Sequence, residues 1–242
     1  MAQAALAAPQ SVPSAKARGL MRFIGALEAP GGYDDFYRGV SSPPPAPLST
    51  MTINSVLAWQ ARVTRTSRSA AAGRYQIIPS TLRKLVREMG LTGKEDFDAT
   101  LQDSMALRLL TDAGWTPNAA PTDALGSSLA RVWASLPLLG GADEGLSAYD
   151  GIAGNHALTT PSIFRNVLAH GDKPKVVQAA IRASGKSVRV EDSQPEPHAT
   201  PEPFARLWQV GAPHAFGARQ IAGGRLAASK VVVFTNDPFA VN

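Results

Sequence analysis

The sequence predicts an α+β fold that is mostly α, in which a small β-hairpin lobe accompanies a helical body. Apolar residues recur at helical spacing through roughly the first 180 residues, whereas strand-like patterning in that part is weak and confined to one short stretch. Hydrophobic residues make up 44% of the 242 residues, so the chain can build one substantial core.

The first predicted helix ends beside a glutamate. Its apolar residues repeat at i, i+3, i+4 and i+7 and are Leu20, Phe23, Ile24 and Leu27. The Pro-Gly-Gly sequence at 30–32 is typical of a helix stop, so we expect Glu28 in the last turn.

Four further helices are expected before residue 140. The second contains Ile53, Val56, Leu57 and Gln60, and the third runs through Leu82, Leu85, Val86 and Met89 to end at Gly90. Asp98 is placed to cap the fourth. The fifth is expected to begin at Thr122, to carry Leu125, Leu129, Trp133 and Leu136 on one face, and to close at Pro137.

The segments between and after the helices set the predicted domain organisation. Residues 31–40, GGYDDFYRGV, favour a small hairpin, and the proline-rich stretch 41–47 favours an extended connector. We expect a flexible tail over 1–15, one folded domain over 16–186, and a proline-rich acidic linker over 187–203. An extension of unknown role follows over 204–242 and contains one strand-like run, KVVVF.

Composition excludes several classes of function. The net charge of +5 suits an anionic partner, but the basic residues are scattered apart from Arg62, Arg65 and Arg68, so we expect no nucleic acid as partner. No apolar run is long enough to span a membrane, so no stable insertion is expected. The alanine-rich start lacks a basic segment and does not predict a cleaved signal peptide.

The sequence predicts neither a metal nor a cofactor. There are no cysteines, and the four histidines lie too far apart for a local set of metal ligands. No nucleotide-binding glycine motif and no nucleophile elbow is present.

Glu28 is the candidate general acid. It lies at the negative end of a helix dipole and among apolar neighbours, and both effects disfavour the ionised carboxylate and predict a raised pKa. A raised pKa suits proton donation near neutral pH. The alternative is an ordinary exposed glutamate at a helix end.

The stretch SAAAGRYQIIPSTL, residues 69–82, is the candidate ligand loop. Small residues let the backbone approach a ligand, and Arg74, Tyr75 and Gln76 supply a guanidinium, an aromatic face with a hydroxyl, and an amide. This set suits a neutral, hydroxyl-rich ligand such as a sugar. The alternative is a buried turn at the start of a helix.

Four motifs together resemble the phage lambda endolysin family. They are, in order, the segment E-x4-YDDFYRG from Glu28, AAAGRYQ from residue 70, F-x4-QDSMAL from Phe97 and VWASLP from Val132. The resemblance covers about residues 20–140 and implies a lysozyme-like fold and a lytic transglycosylase. The proline-rich connector departs from the family, because more of the small β lobe would be expected there.

The resemblance also implies the site. The loop Gly73–Gln76 would lie across a sugar-binding cleft from catalytic Glu28. Tyr75 and Gln76 would hold the sugar and its N-acetyl group. Arg74 would either contact the sugar or pair with a core carboxylate instead. Tyr33, Asp34 and Gly73 complete the expected substrate-binding set, although a structural role is favoured for Asp34.

The implied reaction uses one carboxylate. Glu28 would protonate the bridging oxygen between N-acetylmuramic acid and N-acetylglucosamine and then deprotonate the C6 hydroxyl, giving a 1,6-anhydro sugar. The alternatives are a hydrolase in which Asp34 or Asp35 positions water, and an inactive wall-binding or virion module. We expect a monomer made in the bacterial cytoplasm that acts on peptidoglycan glycan strands in the periplasm, or that is carried in a phage particle.

Overall fold

The computed structural model describes residues 13–152 and 154–171, and these residues are mostly helical. Their α-helices are α1 (Ala15–Glu28), α2 (Ile53–Val63), α3 (Pro79–Glu88), α4 (Ala99–Asp112), α5 (Asp123–Ala130) and α6 (Pro161–His170), with 3₁₀ helices at Gly32–Asp34 and Leu48–Thr50. The predicted linker, the C-terminal extension with its KVVVF strand and nearly all of the predicted N-terminal tail lie outside the described residues.

Helix α1 runs through the core of the helical body. Its predicted apolar face is confirmed, with exposures of 1% or less for Leu20, Phe23, Ile24 and Leu27. The helix contacts α4 and α6, and the ring of Phe23 stacks on that of Phe164 with the centroids 6.4 Å apart. Burying a phenylalanine contributes about 1.5–3 kcal/mol relative to leaving it exposed. This packing fixes the position of Glu28, the last residue of α1.

The second, third and fourth predicted helices are confirmed. Asp98 caps α4 as expected, since its Oδ1 accepts a hydrogen bond from the N–H of Leu101 at 2.7 Å. Helix α3 starts at Pro79, which suits a first turn that needs no N–H donor there, and it ends just before Gly90. Gln60 lies on the buried face of α2 with 0% exposure.

Helix α5 is shorter than the sequence predicts. It ends at Ala130, whereas the apolar stripe predicted a helix that continues to the next proline. Continuing it would pair the N–H of Ser135 with the carbonyl of Arg131, four residues earlier. Instead, that carbonyl accepts a hydrogen bond from the Tyr149 hydroxyl, and the N–H of Ser135 donates to Glu28. Longer-range partners for these two backbone groups therefore replace the predicted last turns.

The hairpin predicted for residues 31–40 is not formed. A 3₁₀ helix occupies Gly32–Asp34, and the next segment makes a single bridge, between Phe36 and Ala72. The carboxylate of Asp35 accepts hydrogen bonds from two backbone N–H groups of its own stretch. Side-chain acceptors of this kind compete with a strand ladder, which explains the missing hairpin. Strand pairing in the described part of the chain is limited to isolated bridges.

Helix α6 is an element that the sequence patterns above do not single out. Its start has an N-cap signal, because the Thr160 hydroxyl accepts a hydrogen bond from Ile163 and Pro161 follows directly. Through Phe164 the helix closes over α1. None of the helices within the described ranges is long and apolar enough to cross a membrane. A mostly helical fold is thus confirmed, and the lysozyme-like assignment stays a prediction.

Candidate functional site

Glu28 ends α1 as predicted, and a residue far along the chain holds its carboxylate. Both the N–H and the hydroxyl of Ser135 donate to Oε1 of Glu28, at 3.1 and 2.6 Å. Ser135 is 3% exposed, and Glu28 is half-buried. Hydrogen bonds to a charged acceptor are the strong ones, so this pair of donors orients the carboxylate. The raised pKa of Glu28 stays a prediction.

The segment that carries Ser135, WASLP, is held in turn by later parts of the chain. The carbonyl of Ser135 accepts a hydrogen bond from the N–H of Leu158, and that of Ala134 accepts one from the Ser147 hydroxyl, both at 2.8 Å. A bridge between Pro137 and Ser147 extends this support. Ser135 therefore has little freedom to move away from Glu28.

The GRYQ loop, residues 73–76, is closed at its base by backbone pairing. Ala72 and Ile77 exchange two hydrogen bonds of 3.1 and 2.9 Å. The buried amide of Gln60 donates to the carbonyls of Ala70 and Ile77, at 2.7 and 2.9 Å. The loop is therefore clamped against α2.

Close backbone approach explains the glycine that opens the loop. Gly73 has φ +76°, and a Cβ there would lie 2.3 Å from Oε1 of Gln102. That oxygen accepts a hydrogen bond from the N–H of Arg74 at 2.8 Å, while the amide nitrogen donates to the carbonyls of Tyr33 and Phe97. One buried side chain of α4 thus ties the loop to the segment that follows Glu28.

Two tyrosines share one carboxylate beneath the loop. The hydroxyls of Tyr33 and Tyr75 donate to Oδ1 of Asp103, at 3.0 and 2.7 Å. Burial, and then the charge of Asp103, raise the pKa of both tyrosines, so both remain donors at neutral pH. Burial also raises the pKa of Asp103, against the opposing effect of the two hydrogen bonds. Because Tyr75 is 3% exposed, it offers little surface to a sugar, and its predicted sugar contact gains no support.

Arg74 connects the loop to α1. A Cβ at Gly25 would lie 2.6 Å from Nε of Arg74, so the arginine packs directly on that glycine. Gly25 and Glu28 are three residues apart, which places them on the same face of the helix. Pairing with a core carboxylate was one of the two alternatives for Arg74. Its guanidinium carbon lies 5.1 Å from the ring centroid of Tyr33, and its charge opposes the rise in the pKa of Asp103.

Gln76 has an unusual backbone conformation. Its φ of +47° is the one positive value among the non-glycine residues that the structure describes. The side chain is half-buried, and its Nε2 donates to the carbonyl of Gly73 at 2.9 Å. Such conformations cost of order 1–3 kcal/mol and cluster at functional sites.

The two aspartates after α1, Asp34 and Asp35, make hydrogen bonds and an ion pair with nearby parts of the chain. Exposed Asp34 accepts a hydrogen bond from the N–H of Ser49 at 2.7 Å, which links the two 3₁₀ helices. Asp35 is 8% exposed; its Oδ1 pairs with Arg38 at 2.8 Å and its Oδ2 accepts from the N–H of Gly31 at 2.9 Å. These contacts agree with the structural role favoured for Asp34.

Three polar residues of the site received no role from the sequence. Gln102, Asp103 and Ser135 all lie inside the quoted motifs, yet only the structure shows their partners. The available signal was an amide, a carboxylate and a hydroxyl inside otherwise apolar stretches, since buried polar groups need partners.

Other ligand classes gain nothing from the described residues. In the ranges that the structure covers, no group of three or more His, Cys, Asp and Glu side chains is arranged to hold a metal. Arg62, Arg65 and Arg68 are exposed at and beyond the C-terminal end of α2.

Comparison with known proteins gives one match. Residues 58–153 match the family model described as Endolysin. No curated protein and no solved structure matches the chain. The matched range includes the GRYQ loop, Asp103 and Ser135, and it leaves out Glu28. Over this range, less than half of the chain, the match supports an assignment to the endolysins, phage lysis enzymes that degrade the bacterial cell wall.

Proposed function

We propose that this protein is an endolysin that cleaves the β-1,4 bond between N-acetylmuramic acid and N-acetylglucosamine as a lytic transglycosylase of the lambda type. The observation that carries the proposal is the pair of hydrogen bonds from Ser135 to Glu28. Ser135 lies in the range that matches the endolysin family, whereas Glu28 precedes it. The candidate acid is thus hydrogen-bonded to the part of the chain that matches the endolysin model.

In the proposed reaction Glu28 acts first as an acid and then as a base. Its proton passes to the bridging oxygen as the bond from that oxygen to C1 of N-acetylmuramic acid breaks. The acetamido group of the sugar stabilises the developing positive charge. The ionised carboxylate then takes the proton of the C6 hydroxyl while the C6 oxygen bonds to C1, which closes the 1,6-anhydro ring. An intramolecular hydroxyl has a high effective molarity and can therefore outcompete water.

The contacts of the two neighbouring aspartates support a route with one carboxylate. Ordinary glycosidases use a second carboxylate as nucleophile or base. Asp35 is buried, with one oxygen on Arg38 and the other on a backbone N–H, and Asp34 accepts a backbone N–H of the second 3₁₀ helix. Both are occupied in local structure, which leaves neither well suited to activate water.

The loop is proposed to hold the sugar beside Glu28. Arg74 packs on the face of α1 that carries Glu28, and Gly73 lets the start of the loop lie directly against Gln102. Gln76 keeps a strained backbone conformation whose cost is explained if its amide contacts the substrate. Tyr33 is half-buried and is placed by Asp103, so its ring would form a wall of the cleft.

We propose a lysozyme-like catalytic domain over residues 16–186, followed by the linker and the extension. The enzyme would act as a monomer on glycan strands in the periplasm, after release at lysis or from a phage particle.

Digestion of purified peptidoglycan, with the released muropeptides weighed by mass spectrometry, tests the reaction. A transglycosylase gives products lighter by one water than those of a hydrolase. Products at the hydrolysed mass would replace the proposal with the hydrolase alternative, and wall binding without release of sugars would replace it with the inactive module.

A further inference from the structure

We infer that Ser135 is a positioning residue, which fixes the orientation of the Glu28 carboxyl group for proton transfer. This inference rests on the proposed function, because it assigns a role in the reaction of Glu28. The match to the endolysin model does not supply this role, since Glu28 lies outside the matched range.

The geometry around the shared oxygen carries the inference. Oε1 of Glu28 accepts from the hydroxyl of Ser135 at 2.6 Å and from its N–H at 3.1 Å. An oxygen that accepts two hydrogen bonds from one rigid residue has a defined position relative to that residue. The contact therefore fixes the orientation of the carboxyl group.

Ser135, which supplies both donors, is buried and is itself hydrogen-bonded. Ser135 is 3% exposed, and its carbonyl accepts a hydrogen bond from Leu158. Its N–H is available because α5 ends at Ala130 and does not consume it in a helical bond. A reactive group must be held near its productive geometry, since a misplacement of about 1 Å can cost two orders of magnitude in rate. The early end of α5 thus serves the site.

Substitutions of Ser135 in the full-length protein test the inference. Ser135→Cys keeps nearly the same size but replaces the hydroxyl with a weak donor, and Ser135→Ala removes the side-chain donor altogether. We expect kcat on soluble glycan strands to fall about tenfold for cysteine and up to about a hundredfold for alanine, with KM within about twofold of the wild type. Ser135→Thr, which keeps a hydroxyl, should recover most of the lost kcat.

Ser127→Ala provides the matched control. The Ser127 hydroxyl also makes two hydrogen bonds, donating to the carbonyl of Leu139 and accepting from its N–H, at 2.8 and 2.9 Å. Its loss should lower stability and leave kcat per folded molecule unchanged.

The outcomes separate this inference from the proposed function. If Glu28→Gln is inactive and Ser135→Cys, folded by circular dichroism, has the kcat of the wild type, the positioning role is overturned and Glu28 stands. If Glu28→Gln retains wild-type activity, the proposed function itself fails. A rise in KM with kcat unchanged in all Ser135 variants would also contradict a positioning role.

Discussion

Gly73 and Gln102 approach so closely that a single added carbon on Gly73 would lie 2.3 Å from the amide oxygen of Gln102. That oxygen already accepts the N–H of Arg74, and the amide nitrogen binds two further carbonyls. The first residue of the GRYQ loop is therefore a glycine for two reasons, its positive φ and the absence of space for a side chain.

Gly73→Ala should destabilise the protein more than Gly90→Ala. Gly90 also has a positive φ, of +64°, but a Cβ there meets nothing within 4 Å. Conformational strain costs about 1–2 kcal/mol at either position. Crowding against Gln102 should add about 1–3 kcal/mol at Gly73 alone. Denaturant unfolding of both variants measures the difference. Equal losses of unfolding free energy would show that the Gln102 side chain moves aside without a cost in stability.

Asp103→Asn should change how stability depends on pH. Burial raises the pKa of Asp103 above its ordinary value of 3.8. Below that value Asp103 is protonated in both the folded and the unfolded chain; as the pH rises, the unfolded chain loses the proton first, so stability is lost between the ordinary and the raised pKa. Asparagine keeps an oxygen acceptor for Tyr33 and Tyr75 and carries no charge. From about pH 4 upward the wild type should therefore lose stability, so that the unfolding free energy of Asp103→Asn rises relative to that of the wild type.

Asp112→Asn is the control for Asp103→Asn. Asp112 lies on the same helix and takes part in surface ion pairs with Lys84 and Arg108. It removes the same formal charge without touching the tyrosines. If both variants show the same pH profile, the effect belongs to net charge and the argument from burial of Asp103 is wrong.

Glu28→Gln should abolish cleavage of peptidoglycan while the fold survives. Glutamine keeps the shape and an oxygen that can accept from Ser135, but it has no transferable proton. Its unfolding free energy should lie within about 1 kcal/mol of the wild type. Release of muropeptides measures activity, and Glu88→Gln, which changes a surface ion pair of α3, is the control. Activity within tenfold of the wild type would remove Glu28 from the mechanism.

Local patterns were sufficient for the helices near the site. The apolar spacing of α1 and the cap at Asp98 depend on residues within one or two turns, and both were predicted. The end of α5 was not, because Trp133 and Leu136 are buried at helical spacing without being helical. The deciding contacts of that segment come from Glu28 and Tyr149, which no local pattern includes.

The site shows the same limit. Residue types in the GRYQ loop indicated a ligand, and the motifs were found in order, but which side chains face inward depends on tertiary partners. Tyr75 pairs with Asp103 of α4, and Gly73 fits against Gln102 of the same helix. Asp34 binds a later backbone N–H in place of closing a hairpin. Sequence separations of this size leave no periodic signal.

Gln76 provides a test that separates substrate binding from structural support. Its backbone has a φ of +47°, and its side chain donates to the carbonyl of Gly73. Gln76→Leu keeps the strain and loses that bond, which costs about 0.5–1.5 kcal/mol. Gln76→Gly loses the bond as well but relieves about 1–2 kcal/mol of strain, so it should unfold within about 1 kcal/mol of the wild type. If the amide contacts the substrate, both variants should lose about two orders of magnitude in turnover, whatever their stability. Unfolding and peptidoglycan digestion are measured on the same samples. A glycine variant that is stable and fully active would assign Gln76 to the structure of the loop alone, because turnover would then not depend on its side chain.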